Sequence, residues 1–449
     1  MLIFKKIKIE LWAIFLFLIF LFIAMIGFGS LVRYEVLSSS NKFPIVSSLA
    51  VFMAELPSNF KKGLNLDMQS PEERFPGISG FNGTPMEDEA YLLLSKYDGD
   101  EKRSFVELID LRTFEIKKTW RPDVDKIFSL VDHSKPDFIN LKRDGNPGRF
   151  QIMHPFLTED GGLIFQEGSP LVKIDANSRL VWQNQEDIFH HTIEQDHEGN
   201  FWVPSTAYPY LVDEKYIGSE YGNYHDDAIT KISPEGKILY QKSVSNILIE
   251  NNLGFLLFPI TSFYTRDPIH LNDIQPVLND GPYWRRGDIF LSSRNLSMII
   301  LYRPSSNKIV WKGVGNTIAQ HDVEIIDDHR ISIFNNNVHQ FDESKVNGNN
   351  QIVIYDFKKD SYSKYFDEAM QFYDVRAISE SRGKILPSGA LLVEEQNFGR
   401  LLFFNEDASL RWQYVNRADN GKIYLVKWCR LLYKQNDLDK VHKILEIEE

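Results

Sequence analysis

The chain of 449 residues reads as all-β, a six-bladed β-propeller behind one N-terminal transmembrane helix. Two observations predict this: a unit of strand, polar turn and strand ending in an aromatic recurs six times, and one uncharged apolar run stands near the N-terminus. With 43% hydrophobic and 13% aromatic residues the chain can bury a sizeable core, which excludes disorder as its overall state. The net charge is −12 and no basic cluster occurs beyond the first ten residues, so a nucleic-acid partner is not expected. The one cysteine, Cys429, rules out an intramolecular disulfide and a thiolate metal site, and suits a buried strand position.

The apolar run LWAIFLFLIFLFIAMIGFGSLV, residues 11–32, spans about 30 Å of hydrocarbon at helical rise. Lys5, Lys6 and Lys8 precede it, while Arg33 and Glu35 follow. That bias places the N-terminus in the cytoplasm and the body in the periplasm or outside the cell, anchored by a single pass. A cleaved signal peptide is the weaker alternative, because the apolar stretch exceeds the usual signal length and lacks a small-x-small exit. The expected organisation is a cytoplasmic N-terminus over 1–10, a transmembrane helix over 11–32, a juxtamembrane linker over 33–75 and the propeller over 76–449. In the linker, Leu49, Val51, Phe52, Leu56 and Phe60 suit one amphipathic helix beside the membrane.

The six copies close at Trp120, Trp182, Tyr240, Trp311, Phe366 and Trp412. Ahead of most of them lies a second pair, a polar strand followed by an apolar one, as in HHTIEQDHEGNFWVPST and QHDVEIIDDHRISIFNNN. Four strands per copy is the content of a propeller blade. The first copy lacks its opening strand and the C-terminal GKIYLVKWCRLLY is a strand without a blade, so the two are expected to pair and close the ring.

Histidines fall at the heads of consecutive blades: His190 and His191 in the third, His270 in the fourth, His321 in the fifth. Corresponding positions in a ring converge on its axis. In DPIHLN a period of two sets His270 and Asn272 on one face, and Arg294 ends the neighbouring strand GDIFLSSR. Imidazoles, a carboxamide and a guanidinium together suit an oxyanion: the guanidinium is a planar fork of donors, and a neutral imidazole can attack an electrophilic sulfur or phosphorus centre. His154, His197, His329 and His339 are expected near turns or the surface, and His225-Asp226-Asp227 in a solvated loop. The rings of Tyr208, Tyr210, Tyr216, Tyr221, Tyr224, Phe263, Tyr264, Tyr283 and Trp284 either roof the channel or pack loops.

From about His190 to Tyr414 the chain resembles the bacterial arylsulfate sulfotransferases that work without a nucleotide sulfate donor. The resemblance lies in HLN, SSR and QHD, in that order and on separate repeats, within DPIHLNDIQPV, GDIFLSSRNLSMIILYRPSSNKIVW and QHDVEIIDDHRISIFNNN. It implies transfer of a sulfuryl group from a phenolic sulfate ester to a phenolic acceptor. His321 would be the transiently sulfated nucleophile, His270 and Asn272 oxyanion ligands and proton-transfer partners, Arg294 the sulfate clamp and His191 the other active imidazole, with His190 as its substitute on the substrate. No cofactor and no metal are implied. The chain departs from the better-known members in its N-terminal helix and in Thr192 after the histidine pair.

Two other readings stand beside this one. His191, His270 and His321 with Asp322 or Glu324 would suit a metal-dependent hydrolase, against which Arg294 argues. A propeller that only binds an extracytoplasmic ligand or partner is the other, and whether the chain forms a homodimer is open.

Overall fold

The computed structural model describes residues 10–37, 44–64, 68–134, 144–217, 224–257, 265–340 and 345–448. The chain divides into two compact units. One holds the helices Leu11–Leu37 and Pro44–Gly63 and the short helix Glu214–Ile217. Leu11–Tyr34 is long and apolar enough to cross a membrane, with nearly every large side chain exposed. A membrane anchor and a signal sequence both have this character. Pro44–Gly63 is the helix expected within the linker, and Leu49, Phe52, Leu56 and Phe60 are exposed on it.

The second unit is the six-bladed propeller. Blade two is Met153–Leu157, Leu163–Gln166, Leu171–Ile174 and Leu180–Asn184, in that order from the axis outward. Blade three is built on Glu194–Gln195, Phe201–Thr206, Asp227–Ile232 and Ile238–Ser243, and blade four on Leu271–Pro276, Ile289–Ser293, Met298–Arg303 and Lys308–Val314. Blade five is Val323–Ile325, Arg330–Asn335, Gln351–Asp356 and Ser361–Tyr365. Middle strands pack on both faces and read as continuous apolar runs, as in Ile289–Ser293, where every residue is buried. The outermost strand has only one packed face, so Lys308–Val314 alternates between exposed and half-buried.

Both ends of the propeller close it. Blade one is completed by Arg430–Leu432, which pairs with Tyr91–Leu93 and lies inside Tyr91–Asp98, Arg103–Asp110 and Glu115–Trp120. Blade six, Gly383–Ile385, Leu391–Glu395, Arg400–Phe404 and Leu410–Val415, gains Gly80–Gly83 as a fifth, outer strand. Neither this outer strand nor the C-terminal helix Gln435–Glu448 was foreseen. The helix packs Val441 and Ile444 into the core that holds Trp120 and Phe165.

Carboxylates from one blade cap innermost N–H groups of the next. Asp227 accepts from Leu271 (2.9 Å), Asp273 from Val323 (2.8 Å), Asp322 from Gly383 (3.2 Å) and Glu394 from Trp428 (2.8 Å). Asp226 and Asp227 are therefore buried, and only His225 of that trio is exposed, which corrects the solvated loop expected there. Ion pairs cross between inner strands: Arg430 reaches from blade one to Glu194 of blade three (2.9 Å), and Arg382 of blade six pairs with Glu324 of blade five. Replacing Arg430 with Met strands the Glu194 carboxylate, so chemical denaturation should show a loss of about 3 kcal/mol, most of it recovered when Glu194→Gln is added.

Candidate active site at the propeller axis

In every blade a left-handed residue that is not glycine stands at the start of the innermost strand or on the approach to it. These are Trp428, His154, His191, His270, Ala319 and Glu380 for blades one to six, with φ between 51° and 58°. Such a conformation costs roughly 1–2 kcal/mol for an L-residue, and the fold holds it six times around one axis. His191 and His270 thus occupy the same step, as expected. His321 does not: it lies two residues beyond Ala319, level with Asn272 rather than with His270.

The missing partner at that step is His154, which opens blade two. The expectation that it lies at a turn or the surface is wrong: its exposure is 0% and its ring lies 4.3 Å from Trp428. Its only sequence signal is MHP at the head of an apolar strand, the place DPIH holds in blade four.

His191 is the hub. Its ring centroid is 5.1 Å from His190, 5.4 Å from His270, 5.9 Å from His321 and 6.1 Å from His154, each pair edge-to-face. Burial holds its pKa well below the usual histidine value, and the surrounding imidazoles lower it further. The same cause acts first on His154 and His321, reinforced at His154 by Arg430 and at His321 by Arg294. All three are neutral at pH 7.

Each group is braced. His321 Nδ1 donates to Asn336 Oδ1 at 2.7 Å and faces Ala319 O at 3.2 Å, two acceptors, while its Nε2 accepts the Glu380 N–H at 2.9 Å. That fixes the proton on Nδ1 and the lone pair on Nε2. His270 Nδ1 meets Asp267 Oδ2. Burial pushes the Asp267 carboxyl up, but the His270 contact outweighs it and the net shift is downward. His190 Nε2 sits 3.3 Å from Asp227 Oδ1. Arg294 is 7% exposed; burial lowers its pKa and Asp267 opposes this.

Asn272 is fully buried and its Nδ2 donates to Gln320 O at 2.8 Å, so it braces the segment that delivers His321. Thr192, the departure after the histidine pair, is structural: its Oγ1 accepts from Ile274 at 3.2 Å. Asp322 and Glu324 are committed to Gly383, Arg382 and Lys384. Of the aromatic rings read as roofing the channel or packing loops, Tyr283 and Trp284 pack with Phe357 beside blades four and five. Tyr221, Phe263 and Tyr264 lie outside the described residues, and Tyr216 and Tyr224 belong to the helical unit.

A family model described as arylsulfotransferase (ASST) matches residues 154–417, from the axial His154 through all the imidazoles and Arg294. The chain belongs to this family. No curated protein matches it. Among solved structures it is similar to a protein of unknown function from Bacteroides caccae, at 12% identity over 75% of this chain and 98% of that one, with a TM-score of 0.46. It is also similar to virginiamycin B lyase from Staphylococcus aureus, at 10% identity, 59% and 70% coverage and a TM-score of 0.34. A streptogramin B lyase matches at 9% identity, 78% and 96% coverage and a TM-score of 0.35.

Both ring nitrogens of His154 are buried without a hydrogen-bond partner among the described residues. Its neutral form is enforced on folding, whereas the unfolded chain takes up a proton below about pH 6.5, so this residue subtracts stability increasingly as pH falls. His154→Phe should therefore raise the melting temperature relative to the parent, and by more at about pH 5.5 than at pH 8, in paired thermal scans.

Proposed function

We propose that this arylsulfotransferase-family chain moves a sulfuryl group from a phenolic sulfate ester to a phenolic acceptor through a covalent intermediate on His321. The observation that carries this reading is the enforced state of that imidazole: neutral, protonated on Nδ1, with its Nε2 lone pair held on the Glu380 N–H until sulfur replaces it, and with His191 and Arg294 beside it.

In the first half-reaction Nε2 forms a bond to sulfur as the bond from sulfur to the aryl oxygen breaks. The departing phenolate takes a proton from His270, whose other nitrogen is held by Asp267. Arg294 neutralises the peripheral sulfuryl oxygens, and the Glu380 N–H, freed from Nε2 by the new bond, becomes a further donor beside them. The acceptor phenol then returns its proton to His270 while its oxygen attacks sulfur and the N–S bond breaks. Positive charge is withheld from His321 by burial and by Arg294, so the nucleophile stays available below the pH at which a free histidine protonates. Asn272 and Asn336 act by positioning, and His190 bears on His191 from the Asp227 side. The N-terminal helix serves as the anchor, with the body on the extracytoplasmic side.

The purified chain incubated with an aryl sulfate should carry one added sulfuryl group on His321 by peptide mass spectrometry, discharged by an added phenol with ping-pong kinetics. His321→Ala should abolish labelling and turnover, and Arg294→Lys should lower kcat about 100-fold while leaving the fold intact. Turnover that survives in His321→Ala, or that is lost on chelation and restored by zinc, contradicts the reading.

A further inference from the structure

The arc of the axis opposite Arg294 has a different character. Glu167 follows the second strand of blade two, the place that Arg294 holds in blade four. Gln151 precedes the innermost strand of blade two, Gln396 follows the second strand of blade six, and Lys427 leads into the closing strand. Contacts join Gln396 and Lys427 to His321 through Glu380, and Gln151 to Glu167. Gln151 Nε2 is 3.5 Å from Glu167 Oε1, Lys427 Nζ is 3.8 Å from Glu380 Oε2, Gln396 Nε2 bonds Glu380 Oε2, and the Glu380 N–H is on His321.

What the arc lacks is partners for its oxygens. Glu167 Oε2, Gln151 Oε1 and Gln396 Oε1 are all buried without a hydrogen-bond partner among the described residues, and Gln396 is 1% exposed. Three orphaned oxygens in one neighbourhood are costly unless something bonds to them. Lys427 bears on what that can be: its ammonium disfavours a cation, and Glu380, paired with it, disfavours an anion. Neutral hydroxyl groups meet both conditions, since each can donate to the orphaned oxygens and accept from Lys427. Burial raises the Glu167 carboxyl to about 8, with Lys427 opposing the shift and Glu380 adding to it, so at pH 7 it is largely protonated and offers an O–H donor beside its accepting oxygen.

We infer that Gln151, Glu167, Gln396 and Lys427 form a subsite for a neutral, hydroxyl-rich substituent of the phenolic substrate, such as a sugar or polyol. This rests on the sulfotransferase reading for its reaction but not for its binding.

The test compares 4-hydroxyphenyl β-glucoside, 4-methoxyphenol and 4-(2-aminoethyl)phenol as acceptors with the full-length chain. The glucoside should show a KM about tenfold below that of methoxyphenol, and Gln151→Ala and Gln396→Ala should each shrink that ratio about fivefold. An equal KM, a preference for the ammonium phenol, or an unchanged ratio in both variants overturns the inference. Should no acceptor be turned over, the sulfotransferase reading fails, and calorimetric titration of the same glucoside and methoxyphenol decides the subsite separately: tighter glucoside binding lost in Gln151→Ala supports it, and equal affinity overturns it.

Discussion

Arg430–Leu432 pairs with Tyr91–Leu93, so the end of the propeller supplies the innermost strand of the blade where it begins. A ring of sheets has no hydrophobic core at its centre, and only this closure keeps six inner strands facing a common line. The same residue that starts the closing strand, Arg430, reaches to Glu194 two blades away, and Trp428 just before it supports the ring of His154. Closing the fold and assembling the site are therefore one event. Gly80–Gly83 secures the ring a second time from the outside of blade six.

Convergence gives the site its electrostatics. Four imidazoles lie within 6.1 Å of the His191 ring, and the same crowding and burial that place them also keep His154, His191 and His321 neutral. The charges that remain are arranged by blade: Arg294 on blade four, the Asp267–His270 pair beside it, and Lys427 with Glu380 across the axis. On the proposed reading, a chain of net charge −12 thereby offers an oxyanion a cationic partner, Arg294, at its axis. The backbone contributes as well, since the Glu380 N–H on His321 comes from a left-handed residue that holds the equivalent place to His270.

The number of blades was legible because an outer strand with one packed face carries a large residue that fills the gap to its neighbour, and Trp120, Trp311 and Trp412 mark that in the sequence. His191, His270, His321 and Arg294 were legible because each heads or ends a strand whose register the repeat defines. His154 was not, because a short, bulged strand hides its place in the repeat. Left-handed conformations at histidine, alanine and tryptophan leave no compositional mark of the kind glycine leaves, so the common step of the six blades emerges only in three dimensions. The GFNG latch is too short and too polar to read as a strand, and the acceptor-rich arc joins side chains that are remote in sequence.

Nitrogen-15 NMR of the chain labelled at histidine tests the central claim most directly, because chemical shifts separate the two neutral tautomers from the imidazolium. His321 should remain neutral with its proton on Nδ1 below the pH at which a free histidine protonates. A proton on Nε2, or protonation at the pH of a free histidine, would contradict the account.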